Sequence, residues 1–558
     1  MGSLPSPIPV VIIGGGPVGL CLALDLGRRG IHSTLIERQP GTATELQAKA
    51  SVIDERTMEF CRLLGVRDGI AHAGYPADLP GDTVFCTALS GGHYIGRLSM
   101  DSAQTRVRPP QAAEMLRRCP QIWFDPVFAD AVAKQGMTEV RYSTELVECI
   151  QHEEAGYVLC RVRNLADGST EELRAQYVVA CDGAGSEVRR SLGIAFEGKD
   201  LGYAISAIVR VDLARHHTFT PGAERFLFLG PEGTWGNFTT IDGRTLWRFS
   251  IVGGKEKRDL KTLDMDSLLC KAFGEDAGKV EYEILQVVQW RRSQCTADRY
   301  HAGRIFLAGD AAHTMSPTGG HGLNTGIGDA MTLSWMLQAM LEGWGGAGLA
   351  EAYTAERRPV AQRNGAGSTR NFAIWTDKAG RDRVLEDGVE ADEQRKVLGQ
   401  SMAASMRQEF QSLGLALGYD YAQSPLVVGD GSAPPPNEPD VYIPSARPGH
   451  RAPHHWLAED KSTLDLFGGG FVLLRLGSEV ERDEEITEVA EKIHLPLEIV
   501  TLRDPEVIRI YERRLVLVRP DGMVAWRGDE LPENLNTLLD SVRGAATAVK
   551  SLDCPSTE

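Results

Sequence analysis

A glycine-rich turn near the N-terminus constrains the fold of this chain more than any other feature. Val10–Ile13 is a continuous, mostly β-branched run, which is typical of a strand buried on both faces of a parallel sheet. Residues 14–19 read Gly-Gly-Gly-Pro-Val-Gly, and apolar residues at helical spacing follow them. Ser33–Ile36 then has the pattern of a second strand. The sequence therefore predicts a βαβ unit with a doubly wound α/β architecture.

The spacing of these glycines predicts a binding site for a dinucleotide. Gly14 permits the tight turn after the strand, Gly16 lets a diphosphate approach the backbone, and Gly19 lets helix and strand pack closely. The start of the helix offers free N–H groups and a positive dipole end to phosphate oxygens. Glu37 ends the second strand, where its carboxylate is placed to accept hydrogen bonds from ribose hydroxyls.

Two further buried strands end in aspartates. Ala175–Ala180 precedes Asp182-Gly183, and Arg304–Ala308 precedes Asp310. Ligands of open α/β sheets bind outside the carboxyl ends of the strands, so both aspartates are candidate site residues. For Asp182 a structural turn is an equally good interpretation, whereas Asp310 is placed to accept hydrogen bonds from a polyol chain.

The segment after Asp310 predicts a place for a flat, anionic ring. Its glycines let a ring lie against the backbone, and a helix expected to open near Thr325 would place N–H groups beside it. His313 lies in an alanine-rich turn, where a hydrogen-bonded structural histidine is more common than a proton shuttle.

Composition excludes several classes of function. The formal net charge of −17 makes nucleic acid an improbable partner. No apolar run is long enough to span a bilayer, and no secretory signal precedes the first strand. The ten cysteines show no Cys-x-x-Cys and no spacing typical of a metal site, which predicts reduced thiols, no bound metal and a cytoplasmic location.

Pattern changes along the chain predict an interrupted nucleotide domain and a separate tail. Roughly residues 195–290 alternate like a hairpin-rich antiparallel sheet, and residues 327–412 are helical. Residues 424–448 carry seven prolines and read as a linker. The expected segments are the first part of the nucleotide domain (1–190), a β-sheet domain (191–292), the second part with connecting helices (293–420), the linker (421–448) and a compact α/β tail (449–548).

These motifs, in this order and spacing, resemble those of the FAD-dependent aromatic hydroxylases related to para-hydroxybenzoate hydroxylase and phenol hydroxylase. Arg56–Glu59 matches a family helix behind the flavin, and residues 304–329 match a family segment over their whole length. Residues 451–468 and 518–527 are similar to the thioredoxin-like C-terminal domain of the phenol hydroxylase branch. Because that tail lacks Cys-x-x-Cys, its expected role is packing or homodimer formation.

The resemblance implies the fold, the chemistry and a set of FAD contacts. The fold would be a Rossmann-type FAD domain interrupted by a β-sheet substrate domain, with the tail added. NADPH or NADH would reduce FAD, and dioxygen would form a flavin C4a-hydroperoxide that hydroxylates a phenolic substrate, with or without decarboxylation. The implied cofactor-binding residues are Gly14, Gly16, Gly19, Glu37, Arg38, Lys49, Gln121, Asp182, Gly183, Asp310, Pro317, Gly320, Gly322, Leu323 and Asn324.

Three positions depart from the family pattern. Lys49 stands where many relatives have arginine, and a lysine offers a point charge in place of a planar fork. Ser316 replaces the first proline of a Pro-Pro pair, and His321 is a variable position near the ring. These departures bear on the shape of the pocket more than on the cofactor.

The inserted sheet supplies the candidate substrate contacts, although each has a common structural alternative. Aromatic residues at strand spacing more often pack in a core, and Arg248 between Trp247 and Phe249 is more often solvent-facing. If Arg248 faces inward, it favours a carboxylated phenol. No catalytic base stands out, and the pocket candidates are Tyr203, Trp235, Asn237, Phe238, Arg248 and Pro317.

Two other functions are compatible with the same motifs. One is Baeyer–Villiger oxygenation of a polyketide-like ketone with the same cofactor. The other is a flavin-binding protein without turnover, which acts through its C-terminal domain as an interaction module. The intact glycine motifs count against the second, because a non-catalytic descendant need not keep them.

Overall fold

The structure is a computed structural model, and it describes residues 6–47, 49–216, 219, 222–252, 254–477 and 482–546. Three sheets of four or more strands organise this part of the chain. The elements up to residue 191 are β1 (Ile8–Ile13), α1 (Pro17–Arg28), β2 (Ser33–Ile36), β3 (Val52–Ile53), α2 (Glu55–Leu63), α3 (Arg67–Ala71), β4 (Thr83–Cys86), β5 (Tyr94–Leu98), β6 (Arg117–Arg118), α4 (Gln121–Gln135), β7 (Thr138–Arg141), β8 (Thr144–His152), β9 (Tyr157–Asn164), β10 (Thr170–Ala180) and α5 (Glu187–Ser191).

The remaining elements form the inserted sheet, the long helices and the tail. They are β11 (Phe196–Val211), β12 (Arg225–Gly230), β13 (Gly233–Thr240), β14 (Leu246–Ile251), α6 (Met265–Phe273), β15 (Tyr282–Ala297), β16 (His301–Ala302), β17 (Ile305–Leu307), β18 (His313–Thr314), α7 (His321–Glu342), α8 (Gly348–Thr376), α9 (Val389–Phe410), α10 (Leu413–Leu417), β19 (Trp456–Ala458), β20 (Lys461–Ser462), β21 (Phe471–Leu476), α11 (Asp483–Lys492), β22 (Leu497–Leu502), α12 (Pro505–Tyr511), β23 (Leu515–Val518), β24 (Val524–Gly528) and α13 (Leu535–Val542).

The first sheet is the predicted Rossmann-type sheet. Its strand order is β16-β17-β10-β1-β2-β7, and all neighbours from β17 to β7 run parallel. β8 and β9 extend β10 as an antiparallel hairpin. The register aligns Ile13 with Ile36 and with Ala180, and Ala180 with Leu307, so four strands end at one level. The strands predicted at residues 10–13, 33–36, 175–180 and 304–308 are thereby confirmed.

The second sheet is the predicted insertion, but it also includes segments outside residues 191–292. Its order is β18-β15-β11-β14-β13-β12-β4-β5, so residues 83–98 contribute two strands from the predicted first part of the FAD domain. Thr83–Cys86 pairs in parallel with Arg225–Phe228. Pairing across more than 130 residues leaves no local pattern in the sequence. The predicted limit at 190/191 therefore does not coincide with the edge of this sheet.

The tail is a four-stranded sheet of order β22-β21-β23-β24 with three helices. The strands predicted at residues 471–476, 497–502 and 515–518 are confirmed, and the helix predicted at 486–493 begins three residues earlier. Ser462 and Asp465 form a capping box just before β21. Phe471 packs edge-on against Trp335 of α7, so the tail contacts the nucleotide domain directly.

Candidate active site

The glycines after β1 show which parts of this turn the fold requires and which part a ligand would require. Gly14 has a φ of +109°, and a Cβ there would lie 2.3 Å from the carbonyl oxygen of Cys181. A Cβ on Gly19 would lie 2.0 Å from the carbonyl oxygen of Gly14. Gly16 has an ordinary φ of −77°, and a Cβ there would meet no atom within 4 Å. The open space over Gly16, at the start of α1, fits a diphosphate.

Glu37 is fixed by the backbone at the end of β2. Its Oε2 accepts a hydrogen bond from the Gly15 N–H at 2.6 Å, and its Oε1 accepts one from the Gln39 N–H at 2.7 Å. An ionised carboxylate has about four lone-pair sites, so capacity remains for ribose hydroxyls. Arg38 is exposed beside it, at the rim of the cleft.

Asp182 combines a structural role with an unused acceptor. Its Oδ2 accepts hydrogen bonds from the N–H groups of Glu187 and Val188 at the start of α5, as the structural interpretation predicted. Its Oδ1 is buried without a partner among the described residues, and burial raises the pKa of the carboxyl group. A ligand hydroxyl would satisfy Oδ1. Gly183, with a φ of +80°, forms the turn that follows.

Arg189 ties the second strand-end motif to the third. Its Nη1 donates to the carbonyl of Ala311 at 2.7 Å and its Nη2 to that of Ala184 at 3.2 Å. Its guanidinium lies 3.8 Å from the ring centroid of Phe196. Arg189 therefore fixes the spacing between the turns that carry Asp182 and Asp310.

Asp310 lies exposed in the cleft at the end of β17. The surrounding protein displaces solvent and raises the pKa of its carboxyl group. Gly309 before it has a φ of +61°, and a Cβ there would lie 2.9 Å from Val18 Cγ2 in α1. The first and third glycine motifs therefore pack against each other, and their open faces form one cleft.

The start of α7 supplies N–H groups to the same cleft. The helix begins at His321, four residues before the predicted Thr325, because Gly319 and Gly320 have φ values of +92° and +71° and turn the chain directly into the helix. Within the described chain no side chain caps its first turn. Its free N–H groups can therefore donate to an anionic ring edge, with Pro317 exposed nearby.

The side chains of Asn324, a predicted FAD contact, and His321, a position expected near the ring, are both engaged inside the protein. The Nδ2 of Asn324 donates to the carbonyls of Val52 and Gly320, and its Oδ1 accepts from the Asp54 N–H at 3.1 Å. Asn324 thus joins β3 to the start of α7 with both N–H donors used. His321 lines a small cavity between α2, α7 and α8, and burial lowers its pKa to about 4, so it is neutral near pH 7.

His313 has a structural hydrogen bond, which agrees with the sequence analysis. Its Nε2 donates to Asp329 Oδ2 at 2.7 Å, and the same oxygen accepts from the Gly309 N–H at 3.1 Å. Asp329 Oδ1 accepts from Arg357 Nε at 2.7 Å. Burial acts to raise the pKa of the fully buried Asp329, but His313 and Arg357 together lower it through their charges and hydrogen bonds.

The inserted sheet has an outer aromatic face, which contains three of the predicted pocket residues. Phe238 lies 5.9 Å from Phe273 of α6, and Trp235 stacks on Phe228 at 5.3 Å. A register shift between Phe228 and Leu229 puts Trp235 on the same face as Phe238. Alternation along β11 places Tyr203 on this face too. Trp235 and Phe238 therefore pack within this face and Tyr203 shares it, which favours the packing alternative for these three candidates.

The inner face of the sheet carries a row of polar side chains across four strands. Asn237 Nδ2 donates to the Ser250 carbonyl at 3.4 Å, and the hydroxyls of Ser250 and Ser206 lie 2.9 Å apart. Trp290 Nε1 donates to Ser206 Oγ at 3.1 Å. Such a row can bind the oxygens of a substrate while the indole contacts its ring.

Arg248 faces inward, toward the FAD domain, although an arginine at such a position is more often solvent-facing. It stands opposite Thr239 and Ile208, and its Nη1 reaches the carbonyl of Lys49 in the FAD domain at 3.0 Å. Burial, helped by the charge of Arg225, lowers the pKa of Arg248 to about 10. Lys49 itself is exposed at this junction of the two sheets.

Arg292 is a second arginine on the inner face, which the sequence analysis missed, and it is buried whereas Arg248 is half-buried. Its guanidinium lies 3.8 Å from the Phe372 ring and 5.3 Å from the Trp290 ring, and its Nε has no partner among the described residues. Burial lowers the pKa of Arg292 to about 10. In the part of the chain that the structure describes, neither Arg248 nor Arg292 forms an ion pair with a carboxylate.

Gln121 contacts a carboxyl group that the sequence analysis also missed. Its Nε2 donates to Asp125 Oδ2 at 3.1 Å, one turn later in α4. Burial raises the pKa of Asp125 to about 7, and the charges of Glu37 and Lys49 act on it. The signal in the sequence was an acidic residue inside an apolar helical stretch.

The described residues show neither a metal-binding cluster nor a membrane-spanning helix. No group of three or more His, Cys, Asp or Glu side chains is placed to hold a metal ion. Among the described helices, none has the length and apolar character needed to cross a bilayer.

Two family models match the chain and divide it as the fold does. Residues 7–368 match the FAD binding domain family, and residues 445–546 match the family described as aromatic-ring hydroxylase, C-terminal. A putative polyketide hydroxylase of Streptomyces halstedii is 32% identical over 584 residues, which covers 98% of this chain and 97% of the relative. Aklavinone 12-hydroxylase RdmE of Streptomyces purpurascens is 30% identical over 564 residues, with 96% and 98% covered.

Solved structures show the same architecture. The rebeccamycin biosynthetic enzyme RebC with reduced flavin matches with a TM-score of 0.88 and 38% identity, over 97% of this chain and 100% of that chain. The flavin-dependent monooxygenase PieE in complex with FAD and substrate matches with a TM-score of 0.85 and 27% identity, over the same shares of the two chains. The orphaned Asp182 Oδ1, the space over Gly16 and the free N–H groups of α7 all fit FAD.

Proposed function

This chain belongs to the FAD-dependent aromatic-ring hydroxylases, and from that premise we propose that it hydroxylates a phenolic aromatic substrate that carries a carboxylate. The cofactor is FAD, which NAD(P)H reduces and which supplies the activation of dioxygen. The observation that carries the proposal is a pair of arginines without a carboxylate partner in the described chain, the half-buried Arg248 and the buried Arg292, on the inner face of the substrate sheet.

A buried guanidinium without a carboxylate partner lacks charge compensation. Removing a charge from water is costly, and that cost lowers the pKa of both arginines. An anionic substrate would supply the missing partner, and a guanidinium binds a carboxylate through two parallel hydrogen bonds. The electrostatics therefore favour an acid over a neutral phenol.

The position of the two arginines suggests an extended substrate. Arg248 is level with Gln286 across the sheet, because both stand opposite Ile208. Six residues of β15 separate Gln286 from Arg292, which corresponds to roughly 20 Å. The row of Asn237, the two serines and Trp290 crosses the sheet between these two levels. We propose a fused or linked aromatic system with an acidic group at one end.

The FAD contacts are part of the same proposal. The space over Gly16 would take the diphosphate, Glu37 the adenosine ribose, and Asp182 with Asp310 the polyol chain. The first turn of α7 would donate N–H groups to the pyrimidine edge, between Gly320, Gly322 and Leu323. The substrate sheet would exclude water from the ring, and Arg248 would hold the acid beside Lys49.

A matched set of arginine variants tests the substrate proposal. Arg248→Met and Arg292→Met each remove one arginine of the inner face, whereas Arg291→Met removes an exposed arginine next to Arg292 that pairs with Asp200. The flavin absorption spectrum is followed while phenolic acids and their methyl esters are added. We expect the acids to bind more tightly than the esters, and Arg248→Met to weaken acid binding about tenfold or more, because charged hydrogen bonds contribute about 1.5–3 kcal/mol. Arg291→Met should bind like the unchanged protein.

Two results test the proposal: the relative affinity for acids and esters, and the identity of the product. Equal binding of acids and esters by the unchanged protein would contradict the carboxylate, although not the hydroxylase activity. A product of 16 mass units more without a new ring hydroxyl would indicate Baeyer–Villiger oxygenation. Stimulation of NAD(P)H consumption by the acids, with a new ring hydroxyl, is the expected result.

Location and assembly are proposed on separate grounds. The nine cysteines among the described residues are all free, which supports a reducing compartment such as the cytoplasm. The net charge of −17 supports the prediction that nucleic acid is not a partner. A homodimer remains a prediction, which a solution mass measurement would check.

A further inference from the structure

The turn between β23 and β24 of the tail is buried against the FAD domain. The side chains of Arg519 and Asp521 in this turn are 0% and 3% exposed. Arg519 donates to Asp521 Oδ2 at 2.6 Å and to Glu356 Oε2 of α8 at 2.8 Å. Glu356 belongs to the FAD domain, so the pair of Arg519 and Glu356 joins the tail to that domain.

The same turn contacts two more helices of the FAD domain. Trp335 Nε1 of α7 donates to Asp521 Oδ2 at 3.3 Å, and Arg56 Nη2 of α2 donates to the Asp521 carbonyl at 2.8 Å. One short turn is therefore held by α2, α7 and α8 at once, and the start of α7 also supplies the free N–H groups of the cofactor cleft.

A continuous set of contacts leads from this turn to Arg357. The Arg519 guanidinium lies 5.2 Å from the ring centroid of Tyr421, whose hydroxyl accepts from Arg357 Nη1 at 2.8 Å. Arg357 is the neighbour of Glu356 in α8, and its Nη2 donates to the Thr325 carbonyl in α7 at 2.9 Å. Tyr421 is itself held by the tail, since its N–H donates to the Gly449 carbonyl at 2.8 Å.

Arg357 passes these contacts to the turn that carries Asp310. Its Nε donates to Asp329, and Asp329 accepts from the Gly309 N–H and from His313 on its other oxygen. Asp329 thus fixes both ends of residues 309–313 through one buried carboxylate. In a dry interior such a network has little freedom to adjust when one member is removed.

We propose that the turn at Arg519 and Asp521 makes the C-terminal domain a positioning element of the FAD site, acting through Tyr421, Arg357 and Asp329 on residues 309–313. The tail lacks Cys-x-x-Cys and holds no thiol chemistry of the thioredoxin type, so this gives it a function other than redox catalysis. Tyr421, Arg357, Asp329 and Arg519 are positioning residues, because none of them faces the open cleft.

The test compares two changes in the network with a matched change outside it. Tyr421→Phe removes one hydroxyl, and Arg519→Met removes a buried arginine with two acidic partners. Arg527→Met is the control, because Arg527 is also buried and pairs with Asp430 and Glu512, away from α7 and α8. The full-length holoprotein is used, and the FAD dissociation constant, the visible spectrum of bound FAD and the thermal stability are measured.

We expect both network variants to weaken FAD binding by about threefold to thirtyfold and to shift the flavin spectrum, which is the usual size of coupling through packed networks. Arg527→Met should lower thermal stability without either effect. Unchanged FAD binding and spectrum in Tyr421→Phe and Arg519→Met would overturn the proposal. An equal loss of FAD binding in Arg527→Met would also overturn it, because the effect would then follow from stability alone. If Arg519→Met does not fold, Tyr421→Phe decides.

Discussion

The variants Gly16→Ala and Gly19→Ala test separately which glycine FAD binding requires and which glycine folding requires. A Cβ at Gly16 meets open space, and the backbone there is extended, with φ of −77° and ψ of −176°. The variant Gly16→Ala should therefore fold like the unchanged protein. If the FAD diphosphate lies over this residue, the added methyl group overlaps it.

The two variants should change different quantities, FAD affinity in Gly16→Ala and stability in Gly19→Ala. Overpacking by one methyl group costs about 1–3 kcal/mol, so Gly16→Ala should raise the FAD dissociation constant roughly ten- to hundredfold. A Cβ at Gly19 would lie 2.0 Å from the Gly14 carbonyl oxygen, which is backbone that has to move by about 1 Å. Gly19→Ala should cost about 1–3 kcal/mol or more even without FAD, which corresponds to a fall of roughly 2–12 °C in melting temperature.

Calorimetry of the FAD-free protein and a fluorescence titration with FAD measure the two effects separately. The expected pattern is an unchanged melting temperature with weak binding for Gly16→Ala, and a lowered melting temperature for Gly19→Ala. Wild-type FAD affinity in Gly16→Ala would refute the placement of the diphosphate. A strongly destabilised FAD-free Gly16→Ala would refute the inference that the space over Gly16 is open.

Two further predictions concern buried charges. The pair of Arg451 and Glu59 joins the tail to α2 with side chains 1% and 2% exposed, so Arg451→Met should lower the free energy of unfolding by about 3–5 kcal/mol in denaturant titrations. The control Arg513→Met breaks the exposed pair with Asp529 and should lower it by less than about 1 kcal/mol. Equal losses in the two variants would contradict the argument. Burial raises the pKa of Asp125 in the folded protein to about 7, against an ordinary value of 3.8. Between about pH 4 and 7 the carboxyl group therefore keeps its proton in the folded state and loses it in the unfolded state. The free energy of unfolding should thus fall as the pH rises through this range. This difference in pKa corresponds to at most about 4 kcal/mol, so Asp125→Asn should lose less stability over that range. Identical pH profiles of the two proteins would show that the pKa of Asp125 is not raised.

The cofactor cleft could be predicted because its signals are local. The run at residues 10–13, the glycines after it and the acid at Glu37 lie within one βαβ unit, and neighbouring residues decide the turn, the helix start and the strand end. The same holds for residues 304–329, which form one strand, one turn and one helix. The family and the cofactor followed from these local patterns.

The substrate face depended on contacts that local sequence does not encode. Trp235 and Phe238 look like pocket aromatics, but a bulge between Phe228 and Leu229 sets which face of the sheet they occupy. A register change of one residue moves a side chain to the opposite face, so only the strand pairing decides that Arg248 faces inward and Phe238 outward. Arg292 gave no pattern that distinguished it from the exposed Arg291.

The sequence by itself determined that this chain binds a dinucleotide-type cofactor at the ends of parallel strands, because short-range sterics and glycine geometry define such a turn. Only the tertiary structure decided what surrounds that turn. Asp329 and Arg519 are 190 residues apart in the sequence, yet buried hydrogen bonds and charge pairs connect them through two intervening side chains. Such connections arise when packed helices bring distant charges out of water, where each charge must find a partner.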